Sequence, residues 1–129
     1  MVFRCLKFAV AYLMIGVVMG VVMGITHQFQ YAPVHAHINL LGWVSLAVIA
    51  LIYKAFPHAA ETRLARLHFR LHNIGLPVFM IGLVLAINDH DWALPAVRIG
   101  AFMTLAGVTL FVVNVVRTVR IPQPVAGAS

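Results

Sequence analysis

The sequence predicts an all-α integral membrane protein, an antiparallel bundle of four transmembrane helices with both termini in the cytoplasm. The chain is 63% hydrophobic and only 9% charged over 129 residues, whereas a soluble domain needs more charge to cover its surface. At roughly 20 residues per span, four helices account for nearly the whole length. The basic residues then fall almost entirely on one side of the membrane, which makes an even number of spans self-consistent.

Four apolar runs, separated by short polar connections, define the predicted spans. We expect the spans at residues 8–25, 33–56, 70–88 and 94–116. Because the connections are short, neighbouring helices should be antiparallel. Residues 1–120 thus form one transmembrane domain, and residues 121–129, which hold two prolines and several small residues, are expected to be a disordered tail.

Basic residues set the predicted orientation. With four spans, Arg98 alone lies on one side, and the other eight lie together: Arg4, Lys7, Lys54, Arg63, Arg66, Arg70, Arg117 and Arg120. The positive-inside rule places this group in the cytoplasm. We therefore expect a multi-pass protein of a bacterial inner membrane, with the first and third connections on the periplasmic side.

The histidines divide between the two sides of this predicted bundle. The outer set is His27, His35, His37 and His90, and the inner set is His58, His68 and His72. About 20 residues of helix, or roughly 30 Å, should separate the sets, so one metal or heme is not expected to take ligands from both. For His68 and His72 we expect an interfacial position beside the basic residues, although their i, i+4 spacing would also suit an inner metal or quinol site.

His35 and His37 are two residues apart, near the start of the second predicted span. On a helix, this spacing turns the two rings by about 200°, so they point to nearly opposite faces and are badly placed to chelate one ion. Neutral imidazole is a common ligand of heme iron, copper and zinc. The alternative is that both rings form hydrogen bonds in a wet outer vestibule, and the residues alone leave these two interpretations open.

Three glycines in the first span, Gly16, Gly20 and Gly24, form a repeated GxxxG stripe. Such a stripe permits close approach of a second helix or of a flat ligand, and helix packing is the favoured interpretation. Cys5 is the only cysteine, which excludes an intramolecular disulfide and a CxxCH heme-attachment motif.

His27, His90 and Arg98, also on the predicted outer side, have two interpretations each. His27 and His90 either are exposed loop side chains, which we favour, or complete a copper or zinc site with His35 or His37. Arg98, an expensive charge within a span, either forms a salt bridge with a heme propionate or pairs with an aspartate of the third connection, Asp89 or Asp91.

Several motifs resemble the large subunits of heme–copper oxidases and nitric-oxide reductases. "HINLLGW", residues 37–43, resembles the H-x-N-L-L stretch in the second helix of nitric-oxide reductases, where the histidine is an axial ligand of low-spin heme b. "HAH", residues 35–37, is similar to the H-x-H of the tenth oxidase helix, whose histidines ligate two different hemes. "HFRLHNIGLPVFMIGL", residues 68–83, looks like another helix of the superfamily, and "NDHDWALPAVRIGA" sits where those subunits hold heme propionates.

The resemblance implies a stand-alone copy of one of the three four-helix arcs that form the oxidase subunit. It implies heme b with His37 and His35 as axial ligands and Arg98 on a propionate. Three copies would rebuild twelve helices, with His37 of one chain facing His35 of the next. Electron transfer with a quinol or another respiratory redox partner would follow. Because the copper-ligand motifs are absent, reduction of oxygen or nitric oxide by this chain alone is not expected.

Two alternatives belong to other functional classes. One is a copper- or zinc-binding membrane protein that uses the outer histidines, His27 and His90 included. The other is a cofactor-free accessory subunit of a respiratory complex. A visible spectrum of the purified protein separates both from heme binding.

Overall fold

The computed structural model describes residues 1–119, which contain helices and no β-strand. Four of the helices are long and apolar enough to cross a membrane. They are called here the first span (Val2–Thr26), the second span (Phe29–Ala55), the third span (Arg63–Ile87) and the fourth span (Asp91–Thr118). The predicted all-helical architecture is confirmed, and the four apolar helices indicate a multi-pass membrane protein. The predicted tail at residues 121–129 lies outside the described residues.

The helices extend beyond the predicted apolar runs where basic residues occur. The first span begins at Val2 instead of residue 8, and the third begins at Arg63 instead of residue 70. Thr62 explains the early start of the third span, because its hydroxyl oxygen accepts the Ala65 N–H at 3.0 Å and caps the helix. Hydropathy places a span by its apolar centre, so a polar first turn is not counted.

The second span changes its winding along its length. Pro33 lies in its first turn, where a missing N–H is tolerated. The Ser45 hydroxyl, directly after a π-helical segment, donates to the Leu40 carbonyl at 2.7 Å. The successive segments are a 3-10 turn (Phe29–Tyr31), an α-helix (Ala32–His37), a π-helix (Ile38–Val44) and an α-helix (Ser45–Ala55). The π-helical segment therefore follows His37 directly, and such segments are frequent at functional sites.

The third and fourth spans are in backbone contact along much of their length. A Cβ on Gly100 would overlap the backbone of Phe79, and a Cβ on Gly107 would lie 3.0 Å from the backbone nitrogen of His72. Helices in lipid associate through close packing of this kind, because the hydrophobic effect contributes little to their association there.

The first and second spans also approach through glycines. A Cβ on Gly16 would lie 2.6 Å from the Asn39 side chain, and one on Gly20 would lie 2.9 Å from Cε1 of His35. Nothing lies within 4 Å of the Cβ position at Gly24. The predicted stripe thus packs the second span at two of its three glycines, and the polar side chains of that span fill the space that the glycines leave.

Two sets of polar contacts mark the ends of the bundle. At one, called here the Asn88 end, the Tyr31 hydroxyl donates to the Asn88 side-chain oxygen at 2.9 Å. At the other, the Thr62 end, the Thr62 hydroxyl donates to the Asn114 side-chain oxygen at 2.7 Å. Asn114 is fully buried and donates in turn to the Ala59 carbonyl at 2.7 Å, which ties the second connection to the fourth span.

Candidate functional site

His37 is half-buried on the second span, and its ring is anchored through one nitrogen. Nδ1 lies 2.7 Å from the Pro33 carbonyl oxygen, four residues earlier on the same helix face. A carbonyl only accepts, so Nδ1 carries the proton and Nε2 of the neutral ring has the lone pair. Nε2 makes no hydrogen bond with residues 1–119. A ring held by Nδ1–H to a carbonyl is the arrangement in which histidine binds metals.

The His37 ring opens onto a shallow groove, called here the His37 groove, of about 230 Å³ between the second, third and fourth spans. Phe79 packs its ring edge to face with His37, with centroids 5.2 Å apart. The one hydroxyl in the wall, on Thr104, donates to the Gly100 carbonyl at 2.8 Å and is thereby satisfied. The lining residues are His37, Leu41, Phe79, Ala101, Thr104, Leu105 and Val108. The His37 ring therefore lies in a predominantly apolar wall.

His35 is half-buried on the other side of the second span, against Gly20 of the first span. The Asn39 amide nitrogen lies 3.5 Å from both ring nitrogens and makes its shorter bond, 2.8 Å, to the His35 carbonyl. Neither ring nitrogen is anchored as Nδ1 of His37 is. The two rings thus meet different neighbouring spans, in line with the rotation predicted from their spacing.

Arg98 is exposed on the fourth span. It precedes Ala101 by three residues and Leu105 by seven, which puts it on the same helix face as the groove wall, one turn closer to the Asn88 end. Within residues 1–119 its guanidinium has no carboxylate partner at 4.0 Å or less, so the pairing with Asp89 or Asp91 considered from the sequence is not observed.

His27 and His90 are exposed, as favoured from the sequence. His27 ends the first span in the left-handed conformation, with φ of 57°, and the His90 ring stacks on Trp92 with centroids 6.0 Å apart. In the part of the chain that the structure describes, no three or more His, Cys, Asp or Glu side chains are grouped so that they could hold a metal ion.

His68 and His72 are buried within the bundle, a feature that the sequence did not indicate. Both are 0% exposed, whereas His58 is exposed. The His68 ring donates through Nδ1 to the Gly107 carbonyl at 2.9 Å, and the His72 ring donates through Nε2 to the Leu41 carbonyl at 2.9 Å. These two bonds tie the third span to the fourth and to the second, and this function of the pair is structural.

The expected separation of the inner and outer histidines also fails for His72. Leu41, which accepts the His72 bond, follows His37 by four residues, a rise of about 6 Å along a helix. His72 therefore holds the backbone of the segment that carries the groove wall. The second nitrogens, Nε2 of His68 and Nδ1 of His72, are buried without a hydrogen-bond partner among residues 1–119.

Sequence reasoning singled out His37 but did not identify the groups that surround it in the structure. The Pro33 carbonyl could have been found from the Pro-x-x-x-His spacing, because residues i and i+4 share a helix face. Nothing in the sequence near His37 indicates that Phe79 and Thr104 lie beside it, because they belong to other spans. The π-helical winding after His37 likewise has no recognised sequence signature.

Together these residues present one imidazole lone pair, an apolar wall and a cation at its edge. That donor set suits the axial ligation of a flat, mostly apolar metal cofactor with anionic side groups. No protein-family model, curated protein or solved structure matches this chain.

Proposed function

We propose that this protein binds heme b within the membrane, with Nε2 of His37 as an axial ligand of the iron. The observation that carries the proposal is the 2.7 Å contact between Nδ1 of His37 and the Pro33 carbonyl. It fixes the tautomer of the neutral ring that leaves Nε2 free to bind a metal. The resemblance of residues 37–43 to the heme-ligating stretch of nitric-oxide reductases supports the same assignment.

The His37 groove fits part of a porphyrin, and a second wall must come from elsewhere. Its volume of about 230 Å³ is below the roughly 300–1,000 Å³ of pockets that enclose a small molecule. His35 of the same chain faces Gly20 on another side of the helix. We propose that a second axial ligand comes from another copy, in a closed homo-oligomer, a trimer, in which His35 of one chain faces His37 of the next.

The proposed subunit is an antiparallel four-helix bundle of a bacterial inner membrane. Contacts between the third and fourth spans support the antiparallel arrangement of these two helices, since Gly75 lies near Thr104 while Gly82 lies near Val97. The exposed arginines of the Thr62 end, such as Arg66, support a cytoplasmic position for that end. The His37 groove and Arg98 would then face the periplasmic half.

Bound heme would supply one-electron redox chemistry, and two histidine ligands leave no open iron position. The proposed role is accordingly electron transfer with a quinol or another respiratory partner. In this role the Pro33 carbonyl would orient His37, Arg98 would neutralise a propionate, and the apolar side chains of Leu41 and Phe79 would exclude water from the ligand bond.

An absorption spectrum of the protein purified in mild detergent, after growth with a heme supply, tests heme binding. We expect a Soret band and a reduced α-band of b-type heme in the wild type, and their loss in His37→Ala. His58→Ala is the matched control, because His58 is exposed at the Thr62 end, and it should keep the spectrum. A colourless wild type, or a His37→Ala variant with full heme content, contradicts the proposal.

Native mass spectrometry tests the assembly separately. We expect three chains per particle with heme bound, and a lower heme content in His35→Ala. Detection of heme-loaded monomers alone contradicts the shared site and leaves ligation by His37 standing.

A further inference from the structure

A basic pocket of about 270 Å³ lies between the first and third spans near the Thr62 end and shares no lining residue with the His37 groove. Arginines from both spans surround it. Its lining residues are Met1, Arg4, Arg66, Phe69 and Arg70. Heme binding involves none of these residues, so the inference below is independent of the proposed function.

One aromatic contact joins the two spans beside this pocket. Phe8 and Phe69 pack edge to face, with centroids 5.4 Å apart. Arg4 lies one helical turn before Phe8. Arg66 and Arg70 are four residues apart, so they share a face of the third span. Three guanidinium groups from two helices are thereby gathered around one concave site.

The charge of the pocket is not balanced within the described residues. No carboxylate lies within 4.0 Å of a pocket arginine in residues 1–119. Arg66 donates one N–H to the Glu61 backbone carbonyl at 2.8 Å, which leaves other guanidinium donors available. Arg4 and Arg70 are exposed and make no side-chain hydrogen bond in this part of the chain.

We infer that this pocket binds the phosphodiester headgroup of an anionic phospholipid. The planar guanidinium group matches phosphate oxygens in a bidentate arrangement. A soluble phosphate ester offers the same oxygens, but the pocket lies between membrane spans and has Phe69 and Met1 in its wall, next to the arginines. These apolar side chains suit the glycerol and first acyl carbons of a lipid. Basic pockets between transmembrane helices are recognised headgroup sites.

Native mass spectrometry of the purified full-length protein, titrated with phosphatidylglycerol or phosphatidylcholine, tests the assignment. We expect preferential binding of phosphatidylglycerol by the wild type and about thirtyfold weaker binding by Arg4→Gln/Arg70→Gln. The matched control is Arg63→Gln/Arg117→Gln, which removes the same charge from exposed arginines outside the pocket. The control should stay within about twofold of the wild type.

Equal losses in the two double variants would overturn the inference, because they would show diffuse attraction instead of a site. Glycerol phosphate tests the source of the ligand. Binding of this soluble ester with the same dependence on Arg4 and Arg70, and no preference for phosphatidylglycerol over phosphatidylcholine, would assign the pocket to a soluble ligand and overturn the lipid. If the double variant fails to fold, Arg70→Lys keeps the charge and should bind about threefold more weakly, and unchanged binding would overturn the inference.

Discussion

The two histidine pairs of the membrane domain differ in what their free nitrogens face. His37 is anchored by the Pro33 carbonyl, and its ring borders the open His37 groove. His68 and His72 are also anchored by carbonyls, but both rings are completely buried. A free imidazole nitrogen can therefore act as a metal ligand here only where the fold leaves access to it.

Spacing alone would have ranked these pairs in the opposite order. An i, i+4 pair shares a helix face and is the usual metal-binding arrangement, yet here that face is turned into the bundle, where it holds the neighbouring spans. The i, i+2 pair cannot chelate one ion, and its two rings lie beside different spans. Our proposal therefore rests on the access and anchoring of each ring and not on the spacing within the pair.

The largest effect on stability should come from His72→Ala. The substitution removes the donor to the Leu41 carbonyl and leaves a cavity where the buried His72 ring lies, with an expected loss of about 3 kcal/mol in the free energy of unfolding. Unfolding in mixed micelles of dodecyl sulfate and a mild detergent measures it.

His37→Ala is the matched comparison for that experiment. His37 is half-buried at the edge of a groove, so the loss of unfolding free energy without heme should be under about 1 kcal/mol. Equal losses in the two variants would remove the distinction between a structural pair and a ligand site.

Gly107→Ala should have the next largest effect. Its Cβ would lie 3.0 Å from the His72 backbone nitrogen and 3.3 Å from the His68 carbonyl oxygen, and this backbone of the third span cannot yield easily. We expect a loss of about 2 kcal/mol in the same assay. Ala106→Ser, on the exposed side of the same helix, should change stability by less than about 0.5 kcal/mol.

Gly20→Ala should act on the ligand site more than on the fold. The new Cβ would lie 2.9 Å from Cε1 of His35, and this side chain can turn away at a cost below about 1 kcal/mol. If His35 ligates iron in a neighbouring chain, the heme spectrum should shift. Gly24→Ala, with nothing within 4 Å of its Cβ position, should leave the spectrum as it is. A spectrum that Gly20→Ala does not alter argues against His35 as a ligand.

His27→Ala and His90→Ala should have the smallest effects. Both side chains are exposed and belong to no metal-binding group within residues 1–119. Heme content and bound copper or zinc, measured by elemental analysis, should equal those of the wild type. Loss of a stoichiometric metal in either variant would favour the copper or zinc alternative.

The sequence was informative where a feature depends on neighbouring residues. Apolar runs located the four spans because hydropathy is a property of each segment, and helix geometry predicted that His35 and His37 would face apart. The burial of His72 was missed because its partner, Leu41, is 31 residues away. The sequence also could not show whether Arg98 pairs with Asp89 or Asp91, because that depends on distances between side chains in the folded chain. The hydrophobic pattern of a single span does not say which face meets which neighbour.

Density for the heme-loaded protein, from electron cryomicroscopy in a lipid nanodisc, tests the central claim most directly. Our account predicts a porphyrin against the His37 groove, its iron bonded to Nε2 of His37 while Nδ1 keeps its contact with the Pro33 carbonyl. Iron bonded to a different residue, or a groove occupied only by lipid in a preparation that contains heme, would contradict it.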